Sequence, residues 1–225
     1  MFEFCRKHLF ILHIYFQQNS NNVNLIISRY SSFDMSTVRH FPPQYSIART
    51  TTDLEQILIL QQQNLARSID EETAQKEGFV TVEHDLDVLA AMNEQHAHIV
   101  ARVGEKIAGY ALCMSPFFAD TIPVLVPMFE HIHKLNWRGR LINETDYIVM
   151  GQVCIAKEWR GRGLFSGLYQ QMQLTQATSY PLVITEIASR NTRSLRAHEK
   201  VGFVPIEVYE SGGEEWQIVV WDWRQ

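Results

Sequence analysis

The sequence predicts an α/β or α+β layer fold with one mixed sheet in a single domain. Three observations predict it. Helix-like and strand-like patterns alternate along the chain from about residue 44 onward. The chain has 225 residues, enough for one domain with a tail and a full core without disulfide or metal staples. Hydrophobic residues make up 46% and charged residues 20%, which excludes a collagen, a coiled coil and a wholly disordered chain.

Residues 1–40 read as a poorly packed extension. The apolar stretch Cys5 to Phe16 is interrupted by His8 and His13, lacks a small-residue cleavage site and is too short to span a bilayer. Met35 is an alternative start, and a chain beginning there is expected to fold and keep its activity. The domain itself is expected over 41–225. Tyr45 to Thr50 alternates as a short strand. Thr52 or Asp53 is expected to cap a helix with Leu54, Ile57, Leu58 and Leu65 on one face. Further helices are expected over Asp70–Lys76 and Asp85–Gln95. His98–Val103 and Ile107–Met114 flank a Gly104-Glu105-Lys106 turn, a hairpin pattern. Residues 115–146 carry Phe117, Phe118, Met128 and Trp137 and read as an insertion packed over something, helix-like from Met128 to Leu135. Tyr147–Ile155 is an apolar strand, Leu164–Thr178 a helix, Pro181–Ile187 a strand and Thr192–Val201 a helix. Phe203–Tyr209 and Trp216–Trp223 are strands on either side of Gly212-Gly213.

Charge and cysteines narrow the function classes. A net charge of -5 makes the whole protein a poor binder of polyanions, so neither a nucleic acid nor a membrane is expected as partner. Cys5, Cys113 and Cys154 show no C-x-x-C spacing, which argues against a disulfide framework or zinc knuckle and for a reducing, cytoplasmic setting. His96-x-His98 and His131-x-His133 lack a third ligand at a recognised spacing, so no metal is expected.

The chemistry is concentrated between Val153 and Phe203. A strand ends at Ile155, and after four residues Arg160-Gly161-Arg162-Gly163-Leu164-Phe165 opens a helix. Glycines let the backbone turn its N–H groups towards a ligand, and the helix start adds free N–H groups and a positive dipole end. A diphosphate is the natural guest, with Arg160 and Arg162 adding positive charge. One source is a dinucleotide, with Gly161, Gly163 and Gly167 at the phosphates and Glu186 at a ribose. Against it stand the G-x-G-x-x-x-G spacing, the charged Lys157–Arg160 stretch before the glycines and the short chain left after Glu186. The other source is coenzyme A.

Two motifs carry a resemblance. Arg160, Gly163 and the Phe165 position fit an R/Q-x-x-G-x-G/A frame, with Phe165 in place of a small residue. Asn191, Ser194, His198, Lys200, Gly202 and Phe203 follow N-x-x-A-x-x-x-Y-x-K-x-G-F, with His198 in place of tyrosine. In these the sequence resembles the GNAT N-acetyltransferase superfamily, over about 44–224 as a pattern and 147–205 specifically.

The resemblance implies one domain with a central mixed, mostly antiparallel twisted sheet, splayed strands and flanking helices. Strands 147–155 and 182–187 would diverge around the pantetheine arm of acetyl-CoA, held by main-chain groups around Val153, Cys154 and Ile155. Arg160, Gly161, Arg162, Gly163, Leu164 and Phe165 would cradle the pyrophosphate. Asn191 would bond the cofactor near pantetheine; read from the residues alone, it caps the next helix. His198 would protonate the leaving thiolate, or else pack within its helix. Asp146 and Glu186 are the candidate bases, since no acid lies between Tyr147 and Ile155. Cys154 reads as a ping-pong nucleophile or as a buried core cysteine. Backbone N–H groups near Cys154 would help an oxyanion. The implied activity moves an acetyl group from acetyl-CoA to a primary amine by direct attack, the acceptor being a small molecule or peptide whose pocket the insertion shapes. A sheet-edge homodimer is the oligomer that the resemblance implies. The alternatives are a non-catalytic acyl-CoA-binding or regulatory module and a nicotinamide-dinucleotide enzyme.

Overall fold

A computed structural model describes residues 42–65, 80, 82–120, 122 and 125–224. The extension expected over 1–40 and the helix expected over Asp70–Lys76 lie outside the described residues. In chain order the elements are β1 (Gln44–Ile47), α1 (Thr51–Gln62), α2 (Leu86–Gln95), β2 (Ile99–Val103), β3 (Lys106–Met114) and α3 (Val126–Ile132). A small hairpin follows, β4 (Asn136–Trp137) and β5 (Arg140–Leu141), then β6 (Tyr147–Ile155), α4 (Leu164–Gln176), β7 (Leu182–Ala188), α5 (Thr192–Val201), β8 (Val204–Ser211) and β9 (Glu214–Asp222).

Seven strands form one sheet in the order β1-β2-β3-β6-β7-β9-β8. Every pairing is antiparallel except β6 with β7. This mixed, mostly antiparallel sheet is incompatible with the doubly wound parallel sheet of a dinucleotide enzyme. Each sheet face buries its own core. On one, Leu54, Ile57, Leu89, Met92, Leu112 and Met128 pack together; on the other, Leu164, Leu168, Tyr169, Met172 and Phe203 do. The helices therefore cover both faces, with α1, α2 and α3 on the first and α4 with α5 on the second.

Capping residues set where α1 and α2 start. Thr50, not Thr52 or Asp53, caps α1: its hydroxyl accepts from the Asp53 N–H at 3.2 Å. Asp53 closes the box by accepting from the Thr50 N–H at 3.1 Å and the Arg49 N–H at 2.8 Å. Arg102 of β2 pairs with the same carboxylate at 2.6 Å, so α1 is fastened to the sheet as it begins. Asp85 caps α2 through the Val88 N–H at 2.8 Å.

One irregularity makes the site. Gln152 pairs with Leu112 and Met150 pairs with Cys113, so Gly151 is an extra residue in β6. A bulge bends its strand and reverses the in–out alternation beyond it. Tyr147 and Val149 face the α1 side before it, whereas Cys154 faces that side after it. Gln152 is buried there too, and both ends of its carboxamide are hydrogen-bonded. Its Oε1 accepts from the Tyr110 hydroxyl at 2.6 Å and from Gln61 Nε2 at 2.8 Å, and its Nε2 donates to the Val82 carbonyl at 2.9 Å. Gln61 Nε2 also donates to His84 Nδ1 at 2.9 Å. Parallel pairing of β6 with β7 covers Tyr147–Val149 against Leu182–Ile184, stopping just before the bulge. Beyond it the two strands part.

α5 ends at Gly202, which has φ +117°, and a Cβ there would lie 2.5 Å from the Trp221 indole nitrogen. The turn closes with the Phe203 N–H on the His198 carbonyl at 3.1 Å, and Phe203 is buried behind it. Gly202→Ala adds both a disfavoured backbone angle and a clash, together about 2–4 kcal/mol. The thermal midpoint, followed by circular dichroism, is expected to drop by roughly 5–15 °C.

Candidate active site

The parted strands, the turn after β6 and α5 enclose a cavity of about 720 Å³, within the usual range for a cofactor site. β6 contributes Gly151 to Ile155, and the turn contributes Arg160, Gly161, Gly163, Leu164 and Phe165. Glu186 to Ala188 line it from β7; Asn191, Ser194, Ala197 and His198 line it from α5, and Trp216 closes one side.

The register shows which backbone groups face the gap. The Ala156 N–H bonds the Ala108 carbonyl at 2.8 Å, and Cys154 stands opposite Tyr110. In an antiparallel ladder bonded pairs alternate, so Cys154 spends its amide on β3 while Val153 and Ile155 turn theirs towards the gap. The Ile155 carbonyl already accepts from Arg160 Nε at 3.1 Å.

The turn has the shape expected of an anion cradle. Gly161 and Gly163 have φ +71° and +84°, and a Cβ on either would meet nothing within 4 Å. Backbone angle, not crowding, requires these glycines. Gly167 differs: a Cβ there would lie 2.1 Å from the Tyr45 ring, so it serves the packing of α4 on β1 rather than a phosphate. Both arginines have partners within the protein. Arg160 braces the turn, with NH2 on Asn64 Oδ1 at 2.6 Å as well as Nε on Ile155. The Arg162 guanidinium sits 4.8 Å over the Trp159 ring, and Arg162 is not among the cavity-lining residues. Phe165 turns its ring onto His198 and Tyr169, at 5.0 Å from each ring centre.

His198 is 1% exposed. Its Nδ1 lies 2.8 Å from the Ser194 carbonyl, so that nitrogen carries the hydrogen, and its Nε2 accepts from the Tyr169 hydroxyl at 2.6 Å. Burial pulls its pKa down to about 4, so the ring is neutral near pH 7. Both nitrogens are committed within the protein, which disfavours the acid role expected for it. Phe165 and His198, both departures from the family motifs, pack against each other.

Glu186 is placed differently. It lines the cavity and accepts a hydrogen bond from the Tyr209 hydroxyl. Burial raises its pKa, against the opposing Tyr209 hydrogen bond and His131 charge. A carboxylate shifted upward is better matched to proton abstraction. Asp146, the other candidate, does not line this cavity. Burial pushes the Cys154 thiol up to about 12, which leaves almost no thiolate and disfavours the ping-pong reading. Asn191 caps α5, its Oδ1 accepting from the Ser194 N–H at 3.1 Å. It also lines the cavity, where its NH₂ is the group left to offer a ligand.

The insertion meets the site by a route the sequence reading missed. Phe118 and Met128 are core residues, Phe117 is exposed, and Trp137 donates to Asp222 at 3.0 Å; none of the four lines the cavity. Instead His131 of α3 stacks on Tyr209, ring centres 4.1 Å apart. Asn64, Arg190, Arg193, Arg196 and Lys200 are further lining residues not singled out for this site beforehand. The cations fall at Arg193, Arg196 and Lys200 of α5, a helical spacing that could have been read as one basic face. Among the described residues, no three His, Cys, Asp or Glu side chains gather as a metal site. No helix among them is long and apolar enough to cross a membrane.

Residues 60–203 match the Acetyltransferase (GNAT) family. The chain belongs to this GNAT family. Solved GNAT structures share the fold. The ribosomal-protein-S18-alanine N-acetyltransferase of Escherichia coli superposes with a TM-score of 0.53 at 13% identity, covering 80% of this chain and 94% of its own. YncA of Salmonella typhimurium, a putative acetyltransferase solved with its cofactor acetyl-CoA, gives 0.54 at 14% identity, covering 82% and 95%. An N-acetyltransferase from Staphylococcus aureus Mu50 gives 0.53 at 14% identity, covering 81% and 99%. No curated protein matches this GNAT chain by sequence.

Proposed function

We propose that this protein transfers the acetyl group of acetyl-CoA to a primary amine by direct attack, with Glu186 as general base. The observation that carries the reading is the gap between β6 and β7 beside the Gly161–Gly163 turn. The cofactor fits the residues present. The turn presents glycine backbone with open space beside it, and main-chain groups of Val153 and the Ile155 N–H face the gap. Among the described lining residues Arg160, Arg190, Arg193, Arg196 and Lys200 stand against a single carboxylate, Glu186, a balance suited to a ligand with several phosphates.

When bound, acetyl-CoA supplies a thioester carbonyl activated towards amines. The chain's own residues do the rest. Val153 and Ile155 orient the arm as a strand would, and the turn holds the diphosphate through N–H groups. Glu186 accepts the proton that the amine nitrogen loses as the N–C bond forms and the C–S bond breaks. The thiolate takes up one proton, so amide and thiol are the balanced products. His198 supports the α4–α5 contact as a neutral residue.

A second reading, an acyl-CoA-binding module without turnover, is favoured by the committed ring of His198. One experiment separates them. The full chain is scanned for thermal stabilisation by acetyl-CoA, CoA and NAD, and then for thiol release from acetyl-CoA over a panel of primary amines. Acetyl-CoA and CoA are expected to raise the midpoint, because a ligand that binds only the folded state stabilises it. Thiol release is expected with at least one amine. Stabilisation without release on any amine points to the silent module, and stabilisation by NAD alone overturns the proposal.

A further inference from the structure

Strands β7 and β8 and helix α3 bring four side chains together beside the cavity. Glu186 of β7 lines the cavity and accepts from the Tyr209 hydroxyl of β8. The Tyr209 ring, 8% exposed, stacks on the His131 imidazole with ring centres 4.1 Å apart and planes 26° from parallel. His131 Nδ1 lies 3.1 Å from the Glu207 carboxylate, also on β8. Glu207 and Tyr209 are two residues apart on one strand and so share a face. The imidazole thus lies across both, held by a ring on one side and a carboxylate on the other.

We propose that Tyr209 and His131 are positioning residues for Glu186: the Tyr209 hydroxyl fixes the carboxylate and His131 fixes the Tyr209 ring. This rests on the base role proposed for Glu186. A glutamate side chain has three rotatable bonds, and a base must present an oxygen at a fixed place. The phenol engages Oε2, which leaves Oε1 as the oxygen for the incoming proton. The insertion then has a defined part in the site: α3 reaches the base through one side chain, without lining the cavity.

The arrangement also sets how the base titrates. Burial raises Glu186, whereas the phenol hydrogen bond and the His131 charge oppose that rise. The other charged groups around it are Glu207 from β8 and, on the cavity rim, Arg190 and the α5 residues Arg193, Arg196 and Lys200. Its β9 partner is the apolar Ile218, and β6 brings the cavity only Gly151, Gln152, Val153, Cys154 and Ile155. A base works deprotonated, so activity climbs as pH rises through its pKa. Removing the phenol hydroxyl raises that pKa further and moves the acidic limb to higher pH.

The test reads Glu186 directly, without needing the acceptor. The full chain is labelled with ¹³C at glutamate carboxyl carbons, saturated with CoA and titrated by NMR, the Glu186 signal being the one lost in Glu186→Gln. Tyr209→Phe keeps the ring and removes the hydroxyl; its Glu186 signal is expected to titrate at higher pH than in the unaltered protein. His131→Phe keeps a stacking ring without charge, and a smaller shift in the same direction is expected. An unmoved titration in Tyr209→Phe overturns the inference, and if that variant does not fold, an unmoved titration in His131→Phe does so. With an amine from the panel, Tyr209→Phe is expected to lower kcat about tenfold while the KM for acetyl-CoA stays within about twofold. Full turnover in Glu186→Gln would remove the base role itself, a result distinct from an unmoved titration.

Discussion

Replacing Glu186 by glutamine is expected to lower turnover by about 10²–10⁴-fold, the usual share of a general base, while acetyl-CoA still stabilises the protein. Glutamine matches the shape of the carboxylate, and its carbonyl oxygen can still accept from Tyr209. What it loses is the ability to take a proton. Thiol release with an amine from the panel measures the first effect, and the acetyl-CoA thermal shift measures the second. Glu186→Asp is the informative companion: it keeps the charge and withdraws it by one methylene, so partial activity is expected. Unchanged turnover in Glu186→Gln would pass the proton to water.

A steep loss of stability in mild acid is the second large effect expected. Three histidines are buried and neutral. Burial pulls His84 and His198 down from the ordinary 6.5 to about 4, and His98 to about 3. His98 Nδ1 accepts from the Cys113 N–H at 3.1 Å, and its Nε2 bonds the Leu89 carbonyl at 3.2 Å, so a second proton has no place on that ring. In the unfolded chain all three take up protons below pH 6.5, while the folded protein resists until about pH 4. Their contribution is therefore complete above pH 6.5 and lost as pH falls towards 4. With three protons taken up on unfolding, the slope approaches about 4 kcal/mol per pH unit in the middle of that window. Glu186 works the other way, because its raised pKa lets the folded state bind a proton first. Asp53 and Asp222 add losses at lower pH. For Asp53, hydrogen bonds from Arg49, Arg102 and Thr50 outweigh burial and lower its pKa; for Asp222, the Arg224 hydrogen bonds chiefly lower it. Urea midpoints between pH 7 and 4.5 check this, and a flat profile would mean that the three rings are charged in the fold.

Periodicity and punctuation made most of the fold legible. The span 147–155 is continuous and apolar, and it is β6 to the residue. Asn191 and Gly202 bracket α5 as cap and terminator, so Thr192–Val201 could be read from both ends. The cap of α1 was misplaced because three consecutive threonines, Thr50 to Thr52, offer similar chemistry. The spacing from Thr50 to Asp53 is what selects the first. The Gly161–Gly163 turn was legible because backbone conformation leaves a local signature in glycine. Side-chain partnerships leave none. Tyr169 reaches His198 across 29 residues, and His131 reaches Glu207 across 76, two numbers away from Tyr209. Whether a histidine is a working acid or a neutral strut depends on those distant partners and on burial. Likewise nothing in the sequence around Arg160 announces its partner Asn64, just past the end of α1 and 96 residues away.

The extra residue at Gly151 behaves as a parity switch. Strand neighbours alternate between faces, so an unbroken alternation that kept this residue, without the bulge, would send Gln152 and Cys154 to the α4 side and Val153 to the other. The carboxamide of Gln152 would then be stranded among aliphatic side chains, and the three groups it satisfies would lose a partner at once. Loss of either Met150 or Gly151 should accordingly absorb the bulge and leave Gln152 on its face, whereas loss of both should reverse it, a difference that screening of in-frame deletions there could read out by soluble yield alone.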